Sequence, residues 1–99
     1  MLNIEKAYDD SVLTVKLDGK LDTVSSPELA AALEGEAEKA DKIIFDMESL
    51  KYISSAGLRL VLSLHKKMSG KGGLIIKNLN ETNMEIFEFT GFSDILNIE

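Results

Sequence analysis

Cysteine is absent from the 99 residues, which excludes disulfides, thiolate metal sites and a cysteine nucleophile, and leans towards a reducing compartment. Histidine and proline occur once each, as His65 and Pro27. Apolar residues nowhere run long enough to cross a bilayer, and the opening stretch MLNIEKAYDD carries acids and no apolar segment of leader length. A cytoplasmic location is the expectation. Basic residues are outnumbered, 11 Lys and Arg against 17 Asp and Glu, for a net charge of −6. A field of that sign repels phosphate backbones and anionic head groups, so nucleic-acid and general membrane binding are disfavoured.

What is present suits one folded domain over 1–99. Apolar residues make up 44 % and charged residues 28 %, an ordinary globular composition. A chain of this length buries roughly 60 to 70 % of its unfolded surface and has little left for a second core. A free monomer is expected, with Leu60 and Leu64, spaced i, i+4, as the candidate exposed patch for a partner. The acidic run Glu28, Glu34, Glu36, Glu38 and Asp41, and the basic group Lys66, Lys67 and Lys71, read as solvated helix faces.

Leu2 and Ile4, then Leu13, Val15 and Leu17, alternate with polar residues around the turn chemistry of Tyr8-Asp9-Asp10-Ser11. That is two strands with one face buried. Ser25 and Glu28 have capping-box spacing and Pro27 suits a first helical turn, so a helix is expected from near Ser25 to near Ala40, burying Leu29, Leu33 and Ala37. Ile43-Ile44-Phe45 reads as a central strand covered on both faces. A second helix follows from about Ser55 to Ser69 and is stopped by Gly70 and Gly72-Gly73; Leu74-Ile75-Ile76 is another strand. A third helix over 81–90 has Met84, Phe87 and Phe89 to pack, and Gly91 ends it before a last strand near Ile95 to Ile98. The order β-β-α-β-α-β-α-β implies an α/β domain whose mixed sheet has parallel members and helices packed on it.

The informative stretch is Tyr52-Ile53-Ser54-Ser55-Ala56-Gly57-Leu58-Arg59, between the central strand and the second helix. Ser54 reads as the N-cap, its hydroxyl accepting from the backbone of Ala56 or Gly57 and stabilising by about 1 kcal/mol. Helical phase places Ser55, Arg59, Ser63, Lys66 and Lys67 on a polar stripe, with Leu58, Val61, Leu62 and His65 turned to the core. Ser55 therefore points to solvent at a helix start whose free N–H groups and dipole favour an anion. A phosphate there adds about −1.5 to −2 charges at pH 7 without melting the helix, and Arg59 stands one turn away to pair with it.

The stretch from Tyr52 to Leu58 resembles the signature of the STAS family, bacterial anti-sigma factor antagonists of the SpoIIAA kind. Gly19-Lys20-Leu21-Asp22 with Pro27-Glu28-Leu29, Ile44-Phe45-Asp46-Met47, and Gly91-Phe92 are similar to that family's loop into its first helix, its central strand and its late glycine. The resemblance implies that Ser55 is the phosphoacceptor; the preceding residue, often aspartate in the family, is Ser54 here, which keeps Ser54 open as an acceptor. It implies a partner switch: the unphosphorylated form binds an anti-sigma factor that is also a serine kinase and so frees a sigma factor, phosphorylation ends the binding, and a serine phosphatase restores it. Asp22, Thr23 and Ser25, with Ser54, Ser55, Ala56, Gly57 and Arg59, are then the expected partner surface.

Enzymatic readings lack a constellation. Ser55-Ala56-Gly57 gives half of a Gly-x-Ser-x-Gly elbow, but Ile53 fills the first glycine position. His65 lies ten residues along the helix from Ser55, about 15 Å in rise, too far to act as its base. Asp9 with Asp10 reads as a turn and Asp46 with Glu48 as a strand end, without a second ligand set. Gly70-Lys71-Gly72-Gly73 precedes a strand where a phosphate loop precedes a helix. Neither metal nor cofactor is expected. The alternative role is that of an unphosphorylated STAS adaptor in a transporter or signalling assembly.

Overall fold

The computed structural model describes residues 2–99. Strand β1 (Asn3–Asp9) pairs antiparallel with β2 (Val12–Leu21), from Asn3 opposite Asp18 to Asp9 opposite Val12. The tight turn between them needs left-handed backbone, and Asp10 supplies it at φ 55°. Side chains of β2 then alternate, with Leu13, Val15, Leu17 and Leu21 buried.

One expected helix is two. Helix α1 (Ser26–Ala32) ends in a turn, and the short α2 (Glu36–Lys39) begins after Gly35, whose φ of 81° takes the chain out of the right-handed helix. Leu29, Leu33 and Ala37 are buried as expected. Glu36 does not belong to a solvated face: it is 7 % exposed, and its carboxylate accepts from Lys6 Nζ and Tyr8 Oη, both at 2.8 Å. The Lys6 and Tyr8 hydrogen bonds hold the Glu36 carboxyl below its ordinary pKa, while burial and the Glu36 contact raise that of Tyr8. This cluster fastens the outer strand β1 to the helical layer. Lys71 is likewise engaged, donating to the carbonyls of Ala37 (2.8 Å) and Glu38 (3.1 Å) at the end of α2.

Strand β3 (Lys42–Ile53) lies between β2 and β4 (Leu74–Lys77), parallel to both, and β5 (Asn97–Ile98) runs parallel to β4. The sheet order is β1-β2-β3-β4-β5. With strands added in one direction, right-handed crossovers place α1, α2, α3 (Ser55–Met68) and α4 (Glu81–Phe89) on the same face. Ile43, Phe45, Met47, Leu50 and Ile53 are therefore buried, whereas Ile44 is only half-buried, so the central strand is covered on one face and not on two. Asp46 and Glu48 stand inside β3 instead of at its end, on the uncovered face with Asn3, Glu5, Lys16 and Asp18.

Four packing expectations change. Leu64 is buried with Leu58, Val61 and Met68, and Leu60 packs against the core, so the pair forms no free patch; Leu62 and His65 take half-buried positions. In α4, Phe87 is fully buried while Phe89 is 93 % exposed. Ile95 lies outside the core at 52 % exposure, after a 3₁₀ turn at Phe92–Asp94. Phe87→Ala is expected to cost about 3–5 kcal/mol in urea unfolding, and Phe89→Ala within about 0.5 kcal/mol of zero.

Candidate functional site

Strands β2 and β3 run parallel and end side by side, with Leu21 opposite Ile53. The Ser54 amide donates to the Leu21 carbonyl at 2.8 Å, so the loop leaving β2 and the helix start leaving β3 emerge next to each other. The C-terminal edge of parallel strands is where open α/β sheets place their functional loops.

The first loop is wired by Asp22 and Ser25. Asp22 Oδ1 accepts from the amides of Val24 and Ser25, each at 3.0 Å. The Ser25 hydroxyl donates to the Lys20 carbonyl at 2.7 Å and accepts from the Asp22 amide at 2.9 Å. Ser25 consequently forms no capping box with Glu28, since its hydroxyl makes no bond to an α1 amide. Nor does it offer a partner surface: it is 4 % exposed and braces the loop from inside. The Ser25 and Val24 hydrogen bonds hold the Asp22 carboxyl below its ordinary pKa, the backbone bond from Ser25 first among them. Asp22 itself is half-buried, Thr23 is exposed, and Val24 projects at 80 % exposure. Val24 lies within the loop expected to meet a partner, as an aliphatic residue among polar ones.

The second element is the start of α3. The Ser54 hydroxyl accepts from the Gly57 amide at 3.4 Å and the Ser54 carbonyl from the Leu58 amide at 2.9 Å, which makes Ser54 the N-cap. Ser55 opens the helix and is exposed, as helical phase predicts, and Arg59 is exposed one turn on. No acid stands in the first turn, so an anion at Ser55 would meet the leading amides and the dipole without an opposing charge. Ala56 is half-buried. Gly57 is buried and fits because it lacks a side chain: a Cβ there would lie 2.8 Å from Leu21 Cγ and 2.9 Å from Ile53 Cγ1.

The structure thus brings all eight expected residues to one edge and divides them. Thr23, Ser55 and Arg59, with Val24 added, face outward; Asp22, Ser54 and Ala56 are partly accessible; Ser25 and Gly57 hold the frame. Among the described residues, no group of three or more His, Asp or Glu is arranged to hold a metal ion, and no helix is long and apolar enough to cross a membrane.

The chain is thus a single α/β sheet with its helices on one face and a serine-led helix at its carboxyl edge. The sequence pattern of the STAS domain matches residues 3–99, and the chain belongs to that family. It is 34 % identical over 88 residues to BtrV of Bordetella bronchiseptica, a candidate anti-sigma factor antagonist, covering 87 % of this chain and 76 % of that one. It is 28 % identical over 98 residues to the anti-sigma-B factor antagonist of Bacillus subtilis, covering 98 % and 90 %. The fold matches that of the anti-sigma factor antagonist SpoIIAA in its unphosphorylated form with a TM-score of 0.75 at 20 % identity, over 100 % of this chain and 87 % of the other.

Gly57→Ala is expected to destabilise by about 1–3 kcal/mol from overpacking on Leu21 and Ile53, against a helix-propensity gain of roughly 1 kcal/mol; urea unfolding measures the balance. Because folding lowers the Asp22 pKa, the stability this carboxylate contributes is present above its unfolded value and lost as pH falls through the lower folded one. In an NMR titration the Val24 and Ser25 amide signals should move together, with a midpoint below the ordinary aspartate value of about 3.9.

Proposed function

We propose that this chain is an anti-sigma factor antagonist switched by phosphorylation of Ser55. The observation that carries the reading is the division of labour between adjacent serines: Ser54 closes the helix cap, and Ser55 stands exposed at the first helical position with no side-chain hydrogen bond among the described residues. The family membership and the names of the relatives, regulators and not enzymes, support the antagonist role.

In this mechanism the unphosphorylated edge binds an anti-sigma factor that is also a serine kinase, releasing a sigma factor in the cytoplasm. Thr23, Val24, Ser55 and Arg59 form the contact, with Asp22, Ser54 and Ala56 at its margin and Ser25 and Gly57 fixing its shape. Phosphorylation places a dianion in an interface built around a neutral hydroxyl. A penalty of about 2.8 kcal/mol already weakens binding a hundredfold, and like-charge or desolvation mismatch at an interface reaches several kcal/mol. The helix dipole and Arg59 meanwhile accommodate the phosphate within the folded domain, so binding ends without a change of fold. A serine phosphatase resets the edge.

The test is peptide mapping after incubation with ATP and the serine kinase encoded nearest to this chain, together with a pull-down of that kinase. One phosphate on Ser55, firm binding by Ser55→Ala, and binding weakened at least about a hundredfold by Ser55→Asp are expected. A phosphate on Ser54 alone would move the acceptor. Firm binding of some other protein, unchanged by Ser55→Asp, would overturn the switch in favour of an adaptor role.

A further inference from the structure

Helix α4 and the 3₁₀ turn after it present an acidic surface that runs away from the Ser55 edge. Residues 81–94 contain Glu81, Glu85, Glu88 and Asp94 and neither Lys nor Arg. All four acids are exposed, and none forms an ion pair among the described residues. Glu81 and Glu85 are spaced i, i+4, and Glu85 and Glu88 i, i+3, so each pair shares one helix surface and repels. Glu88 lies in the last turn, where the dipole opposes a negative charge, and no basic residue offsets it there. Phe89 stands among these carboxylates, one turn after Glu85, at 93 % exposure.

Repelling carboxylates, an adverse dipole and a hydrated aromatic ring are relieved together by one kind of contact, in which cations surround an apolar pocket. We infer that this face is a second docking surface, for a protein partner that receives Phe89 in an apolar pocket rimmed by Lys or Arg. Aromatic anchors within a polar rim are the usual high-energy contacts of interfaces. A second copy in a symmetric pair would present the same carboxylates and be repelled, as would nucleic acid or an anionic membrane.

The surface is separate from the Ser55 edge. Asn80 Nδ2 and Asn83 Nδ2 both donate to the Leu50 carbonyl, at 3.2 and 3.0 Å, which anchors the start of α4 towards the carboxyl end of β3. The nine residues of α4 then run about 13 Å away from that end. A partner on Phe89 leaves Ser55 accessible, and its binding is independent of phosphorylation.

The experiment places the photoreactive residue benzoylphenylalanine at position 89 of the full chain in the cells that make it, and maps the adduct on the partner by mass spectrometry. The expected adduct is with one other protein, at an apolar segment flanked by Lys or Arg. Its yield should persist with Ser55→Asp and fall at least tenfold with Glu85→Gln and Glu88→Gln together. With the purified pair, Phe89→Ala should weaken binding at least tenfold while leaving urea stability unchanged. Absence of an adduct, an adduct with this same chain, with lipid or with an acidic segment, or a yield insensitive to the glutamine pair would overturn the inference. Loss of the adduct with Ser55→Asp would merge the two surfaces into one and overturn their independence.

Discussion

The Ser54 amide donates to the Leu21 carbonyl across the last rung between β2 and β3, and the geometry of the whole edge follows from that bond. It fixes where β3 gives way to α3 relative to where β2 gives way to its loop. Gly57 then lets the first turn of α3 settle directly on Leu21 and Ile53, which are 0 % and 1 % exposed. Ser25 ties the other side of the edge to the Lys20 carbonyl, a residue before the same rung. A fully buried part of the sheet and the start of the helix that carries the exposed Ser55 are therefore in direct contact. Core packing and site shape are one problem here, and a repacked Leu21 would displace the helix start that carries Ser55.

Much of this arrangement is legible in the sequence because its causes are local. The alternation around Asp10, the apolar triplets of β3 and β4, the start of α3 and the Ser54 cap depend on residues a few positions apart, and each is found where periodicity puts it. What periodicity misses depends on distant partners or on backbone sign. A serine three residues before Glu28 fits a capping box, yet its hydroxyl meets the Lys20 carbonyl, which the end of β2 delivers. Glu36 sits in an acidic run that reads as solvated, but Lys6 and Tyr8 reach it from 30 and 28 residues away. Gly35 inside a helical pattern is ordinarily tolerated, and only its positive φ shows that the helix is broken. Phe89 follows Phe87 by two residues, about 200° around the helix, so burying one exposes the other.

The acidic residues also sort by use. Glu36 and Asp22 are structural, the first joining β1 to α2 and the second closing its own loop, and the hydrogen bonds they accept hold both carboxyls below their ordinary pKa. Asp46, on the uncovered sheet face, accepts from Asn78 Nδ2 at 3.0 Å and from the Glu48 amide at 3.2 Å and joins this group. Among the described residues, the carboxylates of α4 have no such partners. A net charge of −6 is thus a sum of carboxylates that also hold the fold and carboxylates that face water alone, and all of them contribute to the field that steers an encounter.

The separation of the Ser54 cap from the exposed Ser55 hydroxyl has a consequence for how information is held. No hydrogen bond within the domain involves the Ser55 side chain among the described residues, so a modified oxygen would displace none of the contacts that hold the fold. Core packing and overall dimensions would then stay as they are, and the gain would be confined to the anion at the helix start, about 0.3–2 kcal/mol. Were a phosphate placed there, it would change the charge of the exposed edge without breaking a hydrogen bond of the fold, so a docking protein, and not the domain's own packing, would read it.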